Sequence, residues 1–366
     1  MKHSAKTILM TAFEPSGDSL GAMAALGLKA IQPDIKLVGL GGSQMESSGV
    51  ELLEHTTQEA AMGVGAISEI KRIKRLVDLV SAWIEENHPD VVVAVDSPAA
   101  NWSVCKAARK YGCTVLHLAA PQLWAWAPWR IKKMKRLSDH VMCLLPFEPK
   151  WFESRGMPAT FIGHPAMVKQ ELSEIQLPAG SPNIVLLPGS RKGEIVKNLP
   201  MQQDILSRIC LEHAGTEAVI ACRIEDVERV QPFAKSLQIV AGDLPSVLEW
   251  ADLALNTSGT VSLDVMRHAT PMIGMYKVNP ISMVLSKIIL NTPHRLLPNL
   301  IAGKQIVPEF IPCGNVAGHV AELALELLGD EEAMTTMKRE LQEEAELYAS
   351  HNPSKEAAEL IFSFIQ

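Results

Sequence analysis

The sequence predicts an α/β protein built from two doubly wound, Rossmann-like parallel-sheet domains with a helical C-terminal tail. Three observations carry that expectation. Short Val-, Ile- and Leu-rich runs alternate with longer segments of helical periodicity through the first half, as when crossover helices bury a sheet on both faces. A second series of such runs opens at Asn183. The chain has 366 residues, a length that fits about two domains.

The first series places strands at Thr7 to Phe13, Lys36 to Leu40, Val91 to Val95, Thr114 to Leu118, His140 to Leu145 and Ala159 to Ile162. Each run is short, continuous and apolar, and each ends in turn residues. Between them, Ser68 to Glu86 spaces Ile70, Ile73, Leu76, Val77, Val80 and Ile84 along one helical face. The second series follows at Asn183 to Leu187, Ala218 to Ala221, Gln238 to Val240, Leu253 to Asn256 and Met272 to Met275. Pro and Gly crowd Leu172 to Pro182, where neither a helix nor a central strand propagates, so a linker is expected there. After Gly314 the pattern is helical and acidic. The expected domains are therefore residues 1–171 and 183–314, joined by 172–182 and followed by a helical tail at 315–366. Ligands of such folds bind beyond the carboxyl ends of the strands, which in a two-domain version means a cleft between domains.

Composition excludes several classes. The chain is 47% hydrophobic and 20% charged, ordinary for a globular protein with a large core. No apolar run nears the ~18 residues of a spanning helix. Ile8-Leu9-Met10 is too short for a signal-peptide core, which leaves a cytosolic setting as the default. Cys105, Cys113, Cys143, Cys210, Cys222 and Cys313 are scattered without Cys-x-x-Cys spacing and read as reduced core residues. The net charge of −7 divides unevenly: up to Pro165, 18 Lys and Arg face 16 Asp and Glu, and beyond it 16 face 25. The basic runs Lys71 to Arg75 and Arg130 to Arg136 suit an anionic surface, such as phosphates or lipid head groups, or are solvated helix faces. The acidic total and the absence of reader motifs argue against nucleic acid.

Five segments carry candidate chemistry. After the first strand, Phe13 to Ala22 forms a strand-to-helix turn in which Gly17 and Gly21 permit tightness and Ser16, Asp18 or Ser19 is placed to cap the helix. Its amides suit a polar or anionic substrate, or are simply capped. Val91 to Asp96 sets a carboxylate at the end of a buried strand, as a general base or as the cap of the next helix. Pro121 to Trp129 concentrates three tryptophans in a chain with 5% aromatic residues, for stacking on a sugar, a lipid interface or core packing. In the second half, Leu186 to Glu194 and Asn256 to Asp264 each run from a strand into a helix. The first presents Gly189, Ser190 and Arg191 to a phosphate without P-loop spacing; the second presents Ser258, Gly259 and Thr260 to a diphosphate, with Asp264 within reach of ribose. A capped helix start explains either segment as well. There is no Asp-x-Asp and no metal-ligand spacing, so no metal is expected. Arg, hydroxyls and helix dipoles would stabilise a diphosphate leaving group.

In order along the chain, ten fragments resemble the lipid-A-disaccharide synthase family. They are Glu14-x-Ser16-Gly17-Asp18-x-Leu20-Gly21-Ala22, Gly41-Gly42, Met62-Gly63, Asp96-Ser97-Pro98, Trp124-Ala125-Trp126, Leu145-Pro146-Phe147-Glu148, Gly163-His164-Pro165, Leu187-Pro188-Gly189-Ser190-Arg191-x-x-Glu194, Ser258-Gly259-Thr260 and Leu297 to Gly303. The resemblance implies a GT-B fold and an inverting hexosyltransferase of lipid A biosynthesis. Such enzymes join UDP-2,3-diacylglucosamine to 2,3-diacylglucosamine 1-phosphate and release UDP. It implies catalytic roles for Asp96, as general base, and Glu14. It implies donor binding by Gly189, Ser190, Arg191, Glu194, Ser258, Gly259, Thr260, Asp264 and Asn299, and an acceptor cleft with Ser16, Gly17, Asp18, Trp124 and Trp126. It also implies a membrane-facing patch of Met62, Val64, Ile67 and Ile70 beside Lys71, Arg72, Lys74 and Arg75. The implied setting is cytoplasmic and peripheral at the inner membrane, with no cofactor or metal, and a homodimer that exchanges C-terminal segments or a tail that crosses to the first domain. The alternatives are a related UDP-sugar transferase or epimerase with another substrate, and a non-catalytic UDP- or lipid-binding homologue.

The chain departs from the family pattern at Phe13, where Gly is usual, and at Ala99-Ala100-Asn101, where Asp-Phe-Asn is usual. It also departs at Ala127 (Arg), Ala66 (Glu) and Asp264 (Glu). Most departures fall in the acceptor half. Donor chemistry is therefore expected to be kept, with acceptor or acyl-chain preference free to differ.

Overall fold

The computed structural model describes residues 6–56, 66–279, 283 and 292–365. The chain folds into two compact units, Met1–Pro165 with His351–Gln366, and Ala166–Ser350. Each is built on one parallel sheet.

The first sheet has seven strands in the order β3-β2-β1-β4-β5-β6-β7. These are β1 (Thr7–Thr11), β2 (Lys36–Gly41), β3 (Glu51–His55), β4 (Val91–Val95), β5 (Thr114–Leu118), β6 (His140–Cys143) and β7 (Ala159–Phe161). Every residue of β4 is buried, because helices cover both faces of the central strands. On one face, helix Pro15–Ile31 and the last helix, Pro353–Ser363, bring Ala24, Ala25, Leu28, Ala357, Ala358 and Ile361 onto Ile8 and Met10. Gly27 permits that pairing: a Cβ there would stand 2.1 Å from the Ser354 carbonyl oxygen. On the other face, helix Ala66–Asn87 buries Leu76, Val80 and Ile84 beside Val104, Cys105 and Ala108 of helix Pro98–Lys110. Ile70 falls outside that stripe and is 67% exposed.

The second sheet has six strands in the order β10-β9-β8-β11-β12-β13. They are β8 (Asn183–Leu187), β9 (Glu217–Cys222), β10 (Gln238–Ala241), β11 (Leu253–Thr257), β12 (Met272–Lys277) and β13 (Glu309–Cys313). Helix Lys192–Glu212 and helix Ala317–Gly329 pack Ile195, Leu199, Ile205, Val320 and Ala324 into one core with Ile184, Leu186 and Leu255. In both units the strand order reverses at one place, between β1 and β4 and between β8 and β11. The crevice at such a reversal is where open α/β sheets take ligands.

Two strands lie outside the sequence expectations, β3 and β13, and both are sheet edges with a single neighbour. Edge strands are wetted on one side, so Glu51, Glu54 and His55 interrupt the apolar run of β3. Pro312 sits in β13, where an edge tolerates a missing donor. The Pro- and Gly-rich stretch 172–182 is tied to the second unit. Ser173 N–H donates to Ser246 Oγ at 2.9 Å, and Trp250 Nε1–H donates to the Pro178 carbonyl at 3.0 Å. The chain crosses between units at Pro165/Ala166 and again at Ser350/His351. Of the helical tail, Ala317–Gly329 and Glu331–Glu346 belong to the second unit, and Pro353–Ser363 belongs to the first. The six cysteines are all free thiols; the reading of core residues fails at Cys210, which is exposed one position beyond the buried Ile209 on its helix.

Candidate functional site

In the first unit, Asp96 and Glu14 leave the carboxyl ends of β4 and β1 at the strand-order reversal. Their loops are laced crosswise. Ser16 Oγ–H donates to Asp96 Oδ2 at 2.9 Å, and Ser97 Oγ–H donates to Glu14 Oε1. The backbone turns sharply here: Asp96 and Ser97 are consecutive non-glycine residues with φ of 51° and 31°. That left-handed geometry is sterically costly and is retained where the surroundings impose it. The Asp96 N–H donates to the Leu118 carbonyl at 2.9 Å, which ties the turn to β5. Beside it, His117 is completely buried, and burial lowers its pKa to about 4 against the pull of the Asp96 charge. His117 is therefore neutral at pH 7.

Of the predicted acceptor residues, Ser16 joins Asp96 directly, and Gly17 packs at the turn under Ala12. Asp18 does something else. It is 3% exposed, and its carboxylate accepts from the Gly42, Gln44 and Met45 amides at 2.7, 3.2 and 3.0 Å. It caps helix Ser43–Ser47 and has no free edge for a sugar hydroxyl. Trp124 and Trp126 are half-buried. The Trp124 indole donates to Glu148 Oε1 at 3.0 Å and meets Phe147 edge-on at 4.9 Å. Arg130 stacks on Trp126 at 4.7 Å and faces Trp102 at 5.5 Å, and Lys133 lies 4.3 Å from the Trp102 ring. Trp129 is 67% exposed beside them.

Glu148, which holds Trp124, is the least expected part of this arrangement. Burial raises its carboxyl to about 7, against the opposing hydrogen bonds from Trp124 and the Leu145 and Leu144 amides. An acid whose folded pKa lies above its ordinary 4.5 binds its proton more tightly in the folded state. Its contribution to stability is thus fullest below 4.5 and is lost as pH rises toward about 7. Glu148→Gln should flatten the decline of Tm across that interval, measured as the difference between the two proteins. Parallel curves would show that Glu148 is ionised throughout.

In the second unit, helix Lys192–Glu212 gathers the strand ends. Gln202 Nε2–H donates to the Leu187 and Leu255 carbonyls at 3.1 and 2.9 Å, bridging β8 and β11 at their reversal. Asn198 Oδ1 accepts from the Lys277 N–H at 2.8 Å, which holds the end of β12. Both side chains are fully buried. Two loops emerge from this frame. In the first, Gly189 takes φ of 95°, and Glu194 reaches back to accept from the Ser190 and Arg191 amides, each at 3.2 Å. Those amides, expected to face a phosphate, are already occupied, so the charge this loop can offer comes from the Arg191 side chain. That side chain is 81% exposed and lies 3.3 Å from Glu194. In the second loop, Gly259 takes φ of 150° with open space at its Cβ position, and its carbonyl accepts from Ser262 Oγ at 2.7 Å. Ser258 is half-buried and Thr260 exposed. Asp264 sits one turn on, its carboxyl raised to about 6 by burial and partly offset by Arg267, 3.8 Å away.

Asn299 is fully buried and spends its whole hydrogen-bonding capacity within its own unit. Its Nδ2 donates to the Val307 carbonyl and Glu309 Oε2 at 2.9 and 3.1 Å, and its Oδ1 accepts from the Ile306 and Val307 amides at 2.8 and 3.0 Å. The predicted membrane residues Met62 and Val64, and the side chains of Ala66 and Ile67, lie outside the described residues. Among the described residues no three His, Cys, Asp or Glu side chains are placed to hold a metal ion. Nor is any described helix long and apolar enough to cross a membrane.

Sequence reasoning named Glu148 only within a family fragment and passed over Asn198 and Gln202. The last two had a signal, because polar residues stand at i and i+4 on the face that carries Ile195, Leu199 and Ile205.

The family model described as lipid-A-disaccharide synthetase matches residues 8–362. The lipid-A-disaccharide synthase of Coxiella burnetii is 31% identical over 338 residues, covering 89% of this chain and 90% of that protein. That of Idiomarina loihiensis is 30% identical and covers 98% of each. Among solved structures, the glycotransferase of kitacinnamycin superposes with a TM-score of 0.64 at 14% identity, covering 99% of this chain and 100% of that one. UDP-GlcNAc 2-epimerase from Neisseria meningitidis bound to UDP-GlcNAc superposes at 0.58 with 11% identity, covering 98% and 99%.

Proposed function

This chain belongs to the lipid-A-disaccharide synthetase family, and on that premise we propose how its two units divide the reaction. It is a glycosyltransferase of lipid A synthesis with the GT-B fold. The donor is UDP-2,3-diacylglucosamine, held by the second unit, and the acceptor is 2,3-diacylglucosamine 1-phosphate, received by the first. Asp96 takes the proton of the acceptor 6-hydroxyl as that oxygen bonds to the anomeric carbon. The bond from that carbon to the diphosphate breaks on the opposite side, and UDP leaves. Arg191 and the Ser258-Gly259-Thr260 loop stabilise the charge that builds on the diphosphate, with Asp264 toward the ribose. Glu14 acts through Ser97 to hold the turn, and Trp124 and Trp126 offer ring faces to the acceptor sugar.

The single observation that carries this reading is the corner at β1 and β4: a carboxylate on a left-handed turn, hydrogen-bonded by Ser16 at 2.9 Å, beside a histidine that burial keeps neutral. For the setting, we propose peripheral attachment to an anionic membrane surface through the exposed apolar residues Ile70 and Trp129 and the basic residues near each in sequence. Both are 67% exposed, and the exposed Lys71, Lys74, Lys132 and Lys133 accompany them.

The test is to incubate the protein with UDP-2,3-diacylglucosamine, with and without 2,3-diacylglucosamine 1-phosphate, and to follow UDP and disaccharide by mass spectrometry. Disaccharide that forms only when both are present is the expected result. UDP released without acceptor, or a donor altered in its absence, would replace the transferase reading with an epimerase or hydrolase one.

A further inference from the structure

Beneath the Asp96 turn lies a side chain to which the proposed reaction assigns no part. Asn101, in the first turn of helix Pro98–Lys110, is fully buried. Its Nδ2 donates two hydrogen bonds, to the Val95 carbonyl at 2.8 Å and to the Asp96 carbonyl at 2.9 Å. Its Oδ1 accepts from Thr11 Oγ1 at 2.7 Å, and Thr11 is fully buried at the end of β1. One carboxamide therefore ties the ends of β1 and β4 together at the strand-order reversal, with its amide aimed at the two carbonyls where the backbone becomes left-handed. We propose that Asn101 is a positioning residue for the transfer reaction, fixing the Asp96–Ser97 turn so that the Asp96 carboxylate meets the acceptor hydroxyl.

Two successive non-glycine residues at φ of 51° and 31° relax toward extended backbone unless something holds them. Ser16 bonds to the Asp96 carboxylate and Ser97 to Glu14, but both contacts are side-chain tethers at the surface. The Asn101 amide grips the carbonyls themselves, from a fully buried side chain. Their orientation sets the peptide planes on either side of Asp96. Removing it leaves a buried and a part-buried carbonyl without that donor and frees the turn to swing, which moves the carboxylate relative to the hydroxyl. A misplacement of about 1 Å at a reacting group costs on the order of 100-fold in rate.

This inference rests on Asp96 being the base, so Asp96→Asn is assayed in parallel. In the full-length chain with both substrates, Asn101→Ala is expected to lower kcat by about 100-fold. The donor KM and UDP affinity should stay within about threefold because nothing in the second unit changes, and the acceptor KM likewise because the loss is of orientation rather than of a contact to the acceptor. Thr11→Val, which removes the donor to Asn101 Oδ1 and keeps the strand's shape, should lower kcat several-fold with the same split. A merely structural Asn101 would reduce Tm and leave kcat intact per folded molecule. If Asn101→Ala folds and its kcat stays within about threefold of the parent, the proposal is overturned. If it does not fold, Thr11→Val decides, and an unchanged kcat overturns it equally. Turnover retained by Asp96→Asn would overturn the base assignment instead, which separates the two failures.

Discussion

Replacing Asp96 with Asn is expected to lower kcat by about 10²–10⁴-fold, the usual worth of a positioned general base, while UDP affinity stays unchanged. Asn is chosen because it changes charge and little else. Its amide oxygen still accepts from Ser16 Oγ, whose bond to Asp96 is 2.9 Å in the parent. Asn also tolerates left-handed backbone better than most residues, so the turn at φ of 51° gains no strain from the exchange. An Ala variant would change charge, hydrogen bonding and backbone preference together. His117 beside it is fully buried, and burial lowers its pKa to about 4, so it is a weak base shut away from the acceptor hydroxyl. The measurement is kcat with both substrates, together with UDP binding followed by calorimetry. Turnover within about tenfold of the parent would remove Asp96 from the role, since positioned acid–base catalysis is worth at least ~100-fold.

How much of this was legible in the sequence depends on what water leaves visible. The central strands were plain because burial on both faces forces continuous apolar runs, as in Val91–Val95. The edge strands β3 and β13 were not, because half-wetted positions admit Glu51, Glu54 and Pro312. The division of the chain at Pro165/Ala166 was hidden by a composition effect. Leu172 to Pro182 reads as a linker by its Pro and Gly content, yet Trp250 and Ser246 secure it to the second unit through backbone hydrogen bonds that no local pattern announces.

The site divides in the same way. Asp96 and Arg191 stood out because topology places strand ends at ligand crevices, whereas Glu14 was singled out only by the family resemblance. The side chains that support the site were harder to find: Asn101 and Glu148 reach across sequence separations of 90 and 24 residues to Thr11 and Trp124. Such partners are set by tertiary packing, and a single sequence does not display them. Asp18 and Asn299 show the converse. Both sit in motif-like strings, and both are buried and hydrogen-bonded within their own units, Asp18 by three backbone amides and Asn299 by three backbone groups and Glu309.

That last contrast gives the second large effect, a crossed pair of variants in the second unit. Asn299→Ala should destabilise the protein and spare UDP. It removes a buried carboxamide with four hydrogen bonds, leaving the Ile306 and Val307 amides and the Val307 carbonyl without those partners. At 1–3 kcal/mol for an unsatisfied buried group, a total of about 3 kcal/mol is a conservative expectation. For a unit of this size that corresponds to a Tm lower by about 6–12 °C. Arg191→Ala should do the reverse. Its side chain is 81% exposed and its ion pair with Glu194 is screened by solvent, so Tm should hardly move. Yet UDP should bind about tenfold more weakly, as one charge-assisted contact to a diphosphate would give. The loss should shrink as salt rises, because an exposed guanidinium acts through a screened field. Thermal melts and UDP titrations on both variants, well below either Tm, read all four quantities. An Asn299→Ala protein that keeps its Tm and loses UDP would move Asn299 from the frame of the unit to the surface that meets the nucleotide.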